Sequence, residues 1–267
     1  MCRELTDWRL LECKTNDAFL NMATDEAILR ARMSDEVPNT VRFYRWNPSA
    51  VSVGKFQELK KQVQLENCRK YGVDVVRRIT GGGTVYHDAQ NELTYSVIVW
   101  KEDLYARDIT EVYARIYRGL VEALKIMGVK ADFSEGNAKT CPNLTVGGKK
   151  ISGSAQCHKG GVVLQHGTLL AKVDLDRMFA LLRVPSARTG LEVIQMARHR
   201  ITSIMDELKR DVSISDLESA LADGFEKALG IALKCGDMTR HELDMIKSLY
   251  EDKFTTSEWN YFGRSKD

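Results

Sequence analysis

The 267-residue sequence lacks the features that mark membrane-spanning and secreted proteins. No apolar run is long enough to cross a bilayer, and the first residues, from Met1 to Asp7, do not form a signal-peptide pattern. The formal net charge is only +2, which excludes the strong basic excess typical of nucleic-acid-binding and membrane-surface proteins. We therefore expect a cytoplasmic protein whose partners include neither nucleic acid nor membranes.

The six cysteines lack the CxxC spacing of zinc and redox motifs. In a cytoplasmic chain of this length, free thiols are expected rather than a disulfide framework. The adjacent Cys157 and His158 suggest a metal, but no second ligand pair follows at zinc spacing, so we predict no metal site. The chain also lacks internal repeats, linker-like segments and low-complexity tracts, so we predict one domain over residues 1–267.

The apolar pattern predicts strands in the middle of the chain, with helices before and after. A helix is predicted from Ala18 to Met33, strands and turns from Lys130 to Leu170, and mostly helices from Leu175 onward. Two short strands, Val41 to Tyr44 and Ala50 to Val53, are predicted to pair as a hairpin. A sheet-rich centre with flanking helices predicts the α+β class.

The most unusual stretch is Arg77-Arg78-Ile79-Thr80-Gly81-Gly82-Gly83-Thr84-Val85-Tyr86-His87-Asp88, which joins two predicted strands. Three consecutive glycines cost backbone entropy, and their physical use is to let the backbone approach a ligand closely. The arginine pair adds cationic donors suited to phosphate or carboxylate. An ordinary hairpin turn with solvated arginines is the alternative. The stretch is neither a Walker loop nor a dinucleotide-binding motif, because a strand follows it.

Two later stretches, Gly147-Gly148-Lys149-Lys150-Ile151-Ser152-Gly153-Ser154-Ala155-Gln156 and Leu164-Gln165-His166-Gly167-Thr168-Leu169-Leu170, place small residues in predicted strands. In order and spacing, the three stretches together resemble the lipoate–protein ligase A and octanoyltransferase family, relatives of biotin–protein ligases. Similarity runs from Asn21-Met22-Ala23-Thr24-Asp25-Glu26 to Ser257-Glu258-Trp259-Asn260, which is nearly the whole chain. The resemblance implies the catalytic-domain fold of that family, with a mixed central sheet flanked by helices.

The same resemblance implies an enzyme of protein lipoylation. Such an enzyme attaches a lipoyl or octanoyl group to a lysine on lipoyl domains of 2-oxoacid dehydrogenases or on the glycine-cleavage H protein. In the ligase branch, lipoate or octanoate first attacks the α-phosphate of ATP to form an acyl-adenylate, such as lipoyl-AMP. The acceptor lysine then attacks the acyl carbonyl, so positioning and electrostatics supply most of the catalysis.

Lys150 stands where the family places its functional lysine, and the resemblance makes it the catalytic residue. A fixed ammonium stabilises the negative charge that develops on the phosphate and on the acyl carbonyl. The ordinary alternative is that Lys149 and Lys150 are solvated hairpin charges. Three small residues nearby, Gly153, Ser154 and Ala155, favour the catalytic interpretation because they leave space for a ligand.

The resemblance also assigns substrate and adenylate binding to the glycine loop and to the small residues of the later strands. One of the two arginines is expected to face the site, since alternate strand residues point to opposite sides, but the pattern does not decide which. The histidines are as typical of packed, hydrogen-bonded positions as of a ligand site. The predicted binding residues are Arg77, Arg78, Gly81, Gly82, Gly83, His87, Gly153, Ser154, Ala155, His166 and Gly167.

Cys141 distinguishes two mechanisms within the family. One branch forms no adenylate, and instead moves octanoyl from acyl carrier protein onto a cysteine and then onto the acceptor lysine. Cys141 precedes Lys150 in an irregular segment, and Glu92-Leu93-Thr94-Tyr95-Ser96-Val97 also resembles that branch. Two features oppose it: the spacing from Cys141 to Lys150 is short, and Gly83 is the ligase form. An inert loop thiol is the third interpretation of Cys141.

From the sequence we favour the ligase mechanism, with lipoate or octanoate as substrate, ATP to form the adenylate and Mg²⁺ to offset the phosphate charge. Octanoyl transfer through Cys141 is the alternative, and a non-catalytic acyl- or adenylate-binding subunit is the out-of-class hypothesis. The chain stops shortly after Glu258-Trp259-Asn260, where the catalytic domain of bacterial-type ligases ends. A ligase of this length is therefore expected to use its accessory domain as a separate polypeptide, whereas an octanoyltransferase needs none.

Overall fold

The computed structural model describes residues 6–136, 142–184 and 190–264. Within these ranges the chain forms one sheet of eight strands and a second sheet of three. The strands are β1 Thr6–Asn16, β2 Thr40–Trp46, β3 Ala50–Val53, β4 Asp74–Arg77, β5 Val85–His87, β6 Glu92–Trp100, β7 Asp132–Ser134, β8 Asn143–Val146, β9 Lys149–Lys159, β10 Val162–Leu170 and β11 Ile231–Cys235.

The large sheet is mixed, with the order β11-β1-β2-β6-β10-β9-β8-β7. Its strand β1 runs parallel to both β11 and β2, and the remaining neighbours are antiparallel. In the small sheet β3 is central, parallel to β4 and antiparallel to β5. A mixed sheet accompanied by helices confirms the predicted α+β class.

Helices cover both faces of the large sheet. One face packs against α4 and α8, and the other against α1, on which α9 lies. The described helices are α1 Ala18–Met33, α2 Leu59–Gln62, α3 Leu65–Lys70, α4 Ile109–Ile126, α5 Leu175–Leu181, α6 Gly190–Arg198, α7 Ile204–Leu208, α8 Ile214–Leu229, α9 Arg240–Leu249 and α10 Ser257–Phe262, with a 3₁₀ turn at Lys101–Leu104 and a π-helical turn at Tyr250–Phe254. In the part of the chain that the structure describes, no helix combines the length and apolarity that a membrane span requires.

Helix α1 has the predicted bounds, and its first turn shows why. The Asp17 carboxylate accepts a hydrogen bond from the Leu20 backbone N–H at 2.7 Å, which satisfies a donor that the helix itself leaves unpaired. Unlike a simple amphipathic helix, α1 is buried nearly all round, and its buried residues include the polar Asn21, Asp25 and Glu26. Buried carboxylates need partners, so this helix carries polar chemistry into the interior.

The predicted hairpin between Val41 to Tyr44 and Ala50 to Val53 is wrong. β2 lies between β1 and β6 in the large sheet, whereas β3 pairs with β4 and β5 in the small one. The turn between them therefore carries the chain from one sheet to the other. A short turn between alternating strands is compatible with both arrangements, and the distant partners of each strand decide between them. The prediction of helices after residue 175 also missed β11, which pairs with β1.

Candidate active site

A cavity of about 310 Å³ lies where residues from both sheets meet the glycine loop. Its lining residues are Met22, Tyr44, Trp46, Ser52, Arg78, Gly82, Gly83, Thr84, Val85, Tyr86, His87, Thr94, Pro142, Lys150, Gly153, Ser154, Ala155, His166, Gly167, Thr168, Leu170, Met178, Phe179, Leu182 and Ile201. Three motifs that are far apart in sequence thus contribute to a single wall, because β5, β9 and β10 bring them together.

Most of the predicted site residues line this cavity. The exceptions among described residues are Arg77 and Gly81. Cys141 lies outside the described residues, but Pro142, which follows it in the chain, lines the cavity. The predicted residues that do line it are Arg78, Gly82, Gly83, His87, Lys150, Gly153, Ser154, Ala155, His166 and Gly167.

The cavity has an apolar inner end and a charged outer end. Tyr44 and Trp46 are both 0% exposed, and the Trp46 ring stacks on the His87 ring with 4.0 Å between centroids. Lys150, by contrast, is solvent-exposed. A pocket walled mainly by apolar groups with a few polar groups at one end suits a ligand with a hydrocarbon tail and a polar head.

Backbone hydrogen bonds fix Lys150 in place. Its N–H donates to the Arg200 carbonyl at 2.8 Å, and its own carbonyl accepts from the Thr202 N–H at 2.9 Å. A Cβ on Gly153 would lie 2.5 Å from the Lys150 Nζ, so the end of the lysine side chain occupies the space that this glycine leaves. The position of the ammonium therefore depends on Gly153 as well as on the segment after α6.

Gly167 permits a second close approach, between β10 and β9. A Cβ there would lie 2.6 Å from the Gly153 carbonyl oxygen and 2.9 Å from the Tyr95 hydroxyl. Beside it, the Ser154 hydroxyl donates to the Tyr117 hydroxyl at 2.8 Å, and Tyr117 donates to the Pro142 carbonyl at 3.2 Å. These contacts tie the small-residue strand to the segment that follows Cys141.

Arg77 faces away from the cavity. Its guanidinium donates to the backbone carbonyls of Trp259, Gly54, Lys55 and Gln57 at 2.8–3.0 Å and to that of Tyr261 at 3.4 Å. These acceptors belong to the turn after β3 and to α10. The structure therefore does not bring Arg77 to the predicted binding site.

Arg78 faces the glycine loop. Its Nη2 donates to the Gly81 and Gly83 carbonyls at 2.7 and 2.6 Å, and its Nη1 donates to the backbone and side-chain oxygens of Ser52, both at 3.1 Å. The fifth donor, Nε, reaches the Thr80 hydroxyl at 3.1 Å. Arg78 is thus on the cavity side, with its guanidinium engaged by the protein.

His166 connects the cavity wall to a buried carboxylate on α1. Its Nδ1 lies 2.8 Å from Asp25 Oδ2, and its Nε2 lies 2.8 Å from the Thr80 hydroxyl. Burial lowers the pKa of His166 below its ordinary value, against the opposing effect of Asp25. Burial alone would raise the pKa of Asp25, but the Arg42 guanidinium and the His166 hydrogen bond lower it. This pattern describes a neutral imidazole beside an ionised carboxylate.

His87 makes a parallel set of contacts from the small sheet. Its Nδ1 lies 2.7 Å from Glu92 Oε1, and its Nε2 lies 2.8 Å from the Ser52 hydroxyl. Glu92 also accepts from the Thr94 hydroxyl at 2.8 Å. Both predicted histidines therefore sit between a carboxylate and a hydroxyl.

Sequence reasoning missed the partners of these histidines. Asp25, Ser52, Thr80 and Glu92 are each at most 1% exposed and were not predicted as site residues. Only a weak signal was present for two of them: Asp25 lies in the predicted helix α1 beside other polar residues, and Glu92 immediately precedes the strand predicted from Leu93. A buried carboxylate must have a partner, but the sequence does not say which histidine supplies it.

The chain matches a known protein family over residues 17–226, by the model of the lipoyl protein ligase A/B catalytic domain. It belongs to this family. Octanoyltransferase LipM of Symbiobacterium thermophilum is 38% identical over 272 residues, which cover 96% of this chain and 98% of that protein. Octanoyltransferase LipM of Bacillus subtilis is 35% identical over 273 residues, which cover 95% and 98%.

Solved structures support the same family. The bipartite lipoate protein ligase of Thermoplasma acidophilum superposes with a TM-score of 0.87 at 32% identity, covering 98% of this chain and 99% of that one. Lipoate–protein ligase A bound with ATP superposes with a TM-score of 0.84 at 32% identity, covering 96% and 99%. The predicted family and fold are confirmed, and the chain is an enzyme of the ligase and octanoyltransferase family. The names of the curated relatives favour the octanoyltransferase alternative over the ligase mechanism.

Proposed function

We propose that the protein transfers an octanoyl group from acyl carrier protein to a lysine of a lipoyl domain or of the glycine-cleavage H protein, through a thioester on Cys141. The observation that carries this proposal is the cavity, whose apolar inner end suits a medium acyl chain and whose outer end holds Lys150. Curated relatives with octanoyltransferase names match nearly the full chain at 35–38% identity.

The proposed reaction has two acyl transfers. Cys141 loses its proton and its thiolate attacks the thioester carbonyl of the donor. A new carbon–sulfur bond forms, the donor carbon–sulfur bond breaks, and the carrier thiolate leaves and takes up the proton that Cys141 released. The acceptor amine then attacks the carbonyl of the enzyme thioester, an amide bond forms, and the Cys141 thiol is regenerated with the proton that the amine releases. Neither transfer consumes ATP, because the thioester retains the acyl energy.

Lys150 serves both transfers in this proposal. Each passes through a tetrahedral intermediate with a negatively charged oxygen, and an ammonium that is already in place stabilises that charge without reorganisation. The backbone bonds to Arg200 and Thr202 fix the main chain of Lys150, and its ammonium lies over Gly153 at the cavity. The inner wall, including Tyr44 and Trp46, holds the hydrocarbon tail by excluding water from it.

The ATP-dependent ligase is the second candidate function, and it is supported by the structural similarity to lipoate–protein ligase A bound with ATP. In that mechanism Lys150 holds lipoyl-AMP and the glycine loop faces its phosphate. No Asp or Glu is among the described residues that line the cavity. Mg²⁺ would therefore be carried by the nucleotide phosphates rather than by cavity carboxylates.

The deciding experiment is acylation of a purified lipoyl domain, followed by intact mass spectrometry. One reaction contains octanoyl-acyl carrier protein without ATP, and the other contains lipoate or octanoate with Mg-ATP, with and without a separate accessory domain. The enzymes are the wild type, Cys141→Ser, Lys150→Ala and, as a matched cysteine control, Cys157→Ser. Cys157 is a half-buried thiol on β9 that does not line the cavity.

We expect modification from the carrier protein without ATP, together with a wild-type enzyme mass increased by one octanoyl group. Cys141→Ser should abolish both signals, Cys157→Ser should retain them, and Lys150→Ala should slow transfer by at least about a hundredfold. Modification that requires ATP and survives Cys141→Ser would instead establish the ligase. Retention of full activity in Lys150→Ala would contradict the role of this lysine in either mechanism.

A further inference from the structure

The guanidinium of Arg78 donates five hydrogen bonds within the protein. A guanidinium carries five N–H donors, and Arg78 donates to Thr80 Oγ1, to the two oxygens of Ser52, and to the carbonyls of Gly81 and Gly83. The side chain is only 4% exposed although it lines the cavity. Contact with a phosphate or carboxylate would therefore require these internal bonds to break first.

The bonds of Arg78 enclose the centre of the glycine loop. They reach the carbonyls on both sides of Gly82, whose backbone φ of 86° lies in the region that favours glycine. One cation thus holds the two ends of the triple glycine at a fixed separation. Gly82 and Gly83 line the cavity, so the position of Arg78 determines the shape of this wall.

Two series of hydrogen bonds support the Arg78 guanidinium. The first starts at Asp25 on α1 and passes through His166 on β10. The Asp25 carboxylate fixes the His166 proton on Nδ1, which leaves Nε2 as an acceptor for the Thr80 hydroxyl. The Thr80 oxygen in turn accepts the N–H of Arg78 Nε. Each donor in this series points toward the carboxylate, so the negative charge of Asp25 is linked to the cation by oriented hydrogen bonds.

The second support joins β6 of the large sheet to β5 and β3 of the small sheet. His87 Nδ1 lies 2.7 Å from the Glu92 carboxylate, and His87 Nε2 lies 2.8 Å from the Ser52 hydroxyl. The Ser52 oxygen accepts from Arg78 Nη1. Two carboxylate–histidine–hydroxyl series, whose histidines lie on different sheets, therefore end on different nitrogens of one guanidinium.

We propose that Arg78 is a positioning residue: the Asp25–His166–Thr80 and Glu92–His87–Ser52 series hold its guanidinium, and the guanidinium shapes the glycine loop without contacting the acyl donor. The kinetic part of this proposal rests on the proposed acyl transfer. The structural part does not rest on it, since it concerns how rigidly residues 81–84 are held in the free enzyme.

The test removes each hydroxyl in turn and follows the loop by hydrogen–deuterium exchange. The variants are Thr80→Val, Ser52→Ala and the double variant, with Thr80→Ser as the conservative replacement that keeps a hydroxyl. Thr40→Val is the matched control, because Thr40 is also a fully buried threonine whose hydroxyl accepts from an arginine Nε, that of Arg9, at 3.1 Å. Thr40 is not a cavity-lining residue.

We expect faster exchange at residues 81–84 in Thr80→Val and in Ser52→Ala, and the fastest exchange in the double variant. Exchange in the core strands β6 and β10 should stay at the wild-type rate, which separates local loosening from general destabilisation. In the acyl-transfer assay, kcat should fall by about tenfold for each single variant, with a smaller change in KM, because a misplaced loop costs transition-state positioning. Thr80→Ser should restore both readouts.

Loop exchange in the double variant equal to that of Thr40→Val would overturn the positioning role. So would a Thr80→Ser protein that is no closer to the wild type than Thr80→Val. Loosened loops in a protein whose wild type transfers no octanoyl group would leave the positioning role supported and reject the proposed function. The two proposals therefore fail on different measurements.

Discussion

Arg77 and Arg78 are adjacent in the chain, yet their guanidinium groups bind different parts of the protein. Arg77 binds backbone carbonyls of α10 and of the turn after β3, including those of Trp259 and Gly54. Arg78 binds the glycine loop on the cavity side. A motif predicted to place one anion-binding arginine in the site therefore supplies two internal contacts instead, one that holds α10 and one that holds the cavity wall.

This relationship predicts different consequences for the two arginines. Arg77→Met leaves several buried carbonyls without a donor, so we expect the free energy of unfolding to fall by about 2–4 kcal/mol. Because Arg77 does not line the cavity, kcat per folded molecule should change less than about twofold. Urea denaturation and single-substrate kinetics measure the two effects, with the exposed Arg118→Met on α4 as the control for loss of an arginine. Loss of acyl transfer without loss of stability would show that Arg77 serves the site.

The three glycines of the loop are predicted to differ in their tolerance of a side chain. Gly82 has a φ of 86°, where an added Cβ is strained, whereas a Cβ on Gly83 would meet no atom within 4 Å. Gly82→Ala should therefore lower the free energy of unfolding by about 1–2 kcal/mol and Gly83→Ala by less than about 0.5 kcal/mol. Thermal unfolding of both variants provides the comparison. Equal losses would contradict the backbone conformation of the loop.

The open space at Gly83 shows one limit of the sequence-based prediction. Gly83 was weighed as a ligase feature, but the structure leaves room there for a larger residue, so its identity does not fix the cavity shape. Helix α1 and strand β3 were predictable to the residue, because local capping and alternation determine them. The separation of β2 from β3 and the side that each arginine faces were not, because distant pairings such as Val53 with Arg77 determine them.

The buried partners of the histidines are the other part of the site that the sequence did not predict. The three sequence motifs contain Lys150, His87 and His166, and each of these residues lines the cavity. Asp25 belongs to the predicted helix α1, and its bond to His166 joins residues that are 141 positions apart. Local patterns identify which residue types are present, but they contain no information on such a partner.

Gly153 and Gly167 offer a paired test of the cavity wall. A Cβ on Gly153 would meet the end of the flexible Lys150 side chain, at 2.5 Å from Nζ, whereas a Cβ on Gly167 would meet the Gly153 carbonyl oxygen at 2.6 Å. Gly153→Ala should thus displace the ammonium and lower kcat by about tenfold or more at nearly unchanged stability. Gly167→Ala should lower stability by about 1–3 kcal/mol, because neighbouring backbone must shift. Denaturation and kinetics on both proteins separate the effects, and a fully active Gly153→Ala would contradict the placement of Lys150.

His166 predicts how stability depends on pH. Burial lowers the pKa of the folded-state His166, so the folded protein keeps this imidazole neutral at a pH where the unfolded chain, with a histidine pKa of about 6.5, already binds a proton. The contribution of neutral His166 is fully present above about pH 6.5 and is lost as the pH falls below it. The groups that face this imidazole are Asp25, Thr80, Arg78 and His87. Arg78 and His87 lower the pKa of His166 further, whereas Asp25 acts in the opposite direction.

The measurement is the free energy of unfolding of the wild type and of His166→Gln between pH 7.5 and about 5. Below about pH 6.5 the wild-type value should fall more steeply with decreasing pH, by up to about 1.4 kcal/mol per pH unit, since its unfolded state binds one more proton than its folded state. Titrating groups that do not contact His166 occur in both proteins and cancel in the difference. Equal slopes would mean that His166 is protonated in the folded protein as readily as in the unfolded chain. The Thr80 hydroxyl could then no longer donate to Nε2, and the direction assigned to the Asp25–His166–Thr80 series would be wrong.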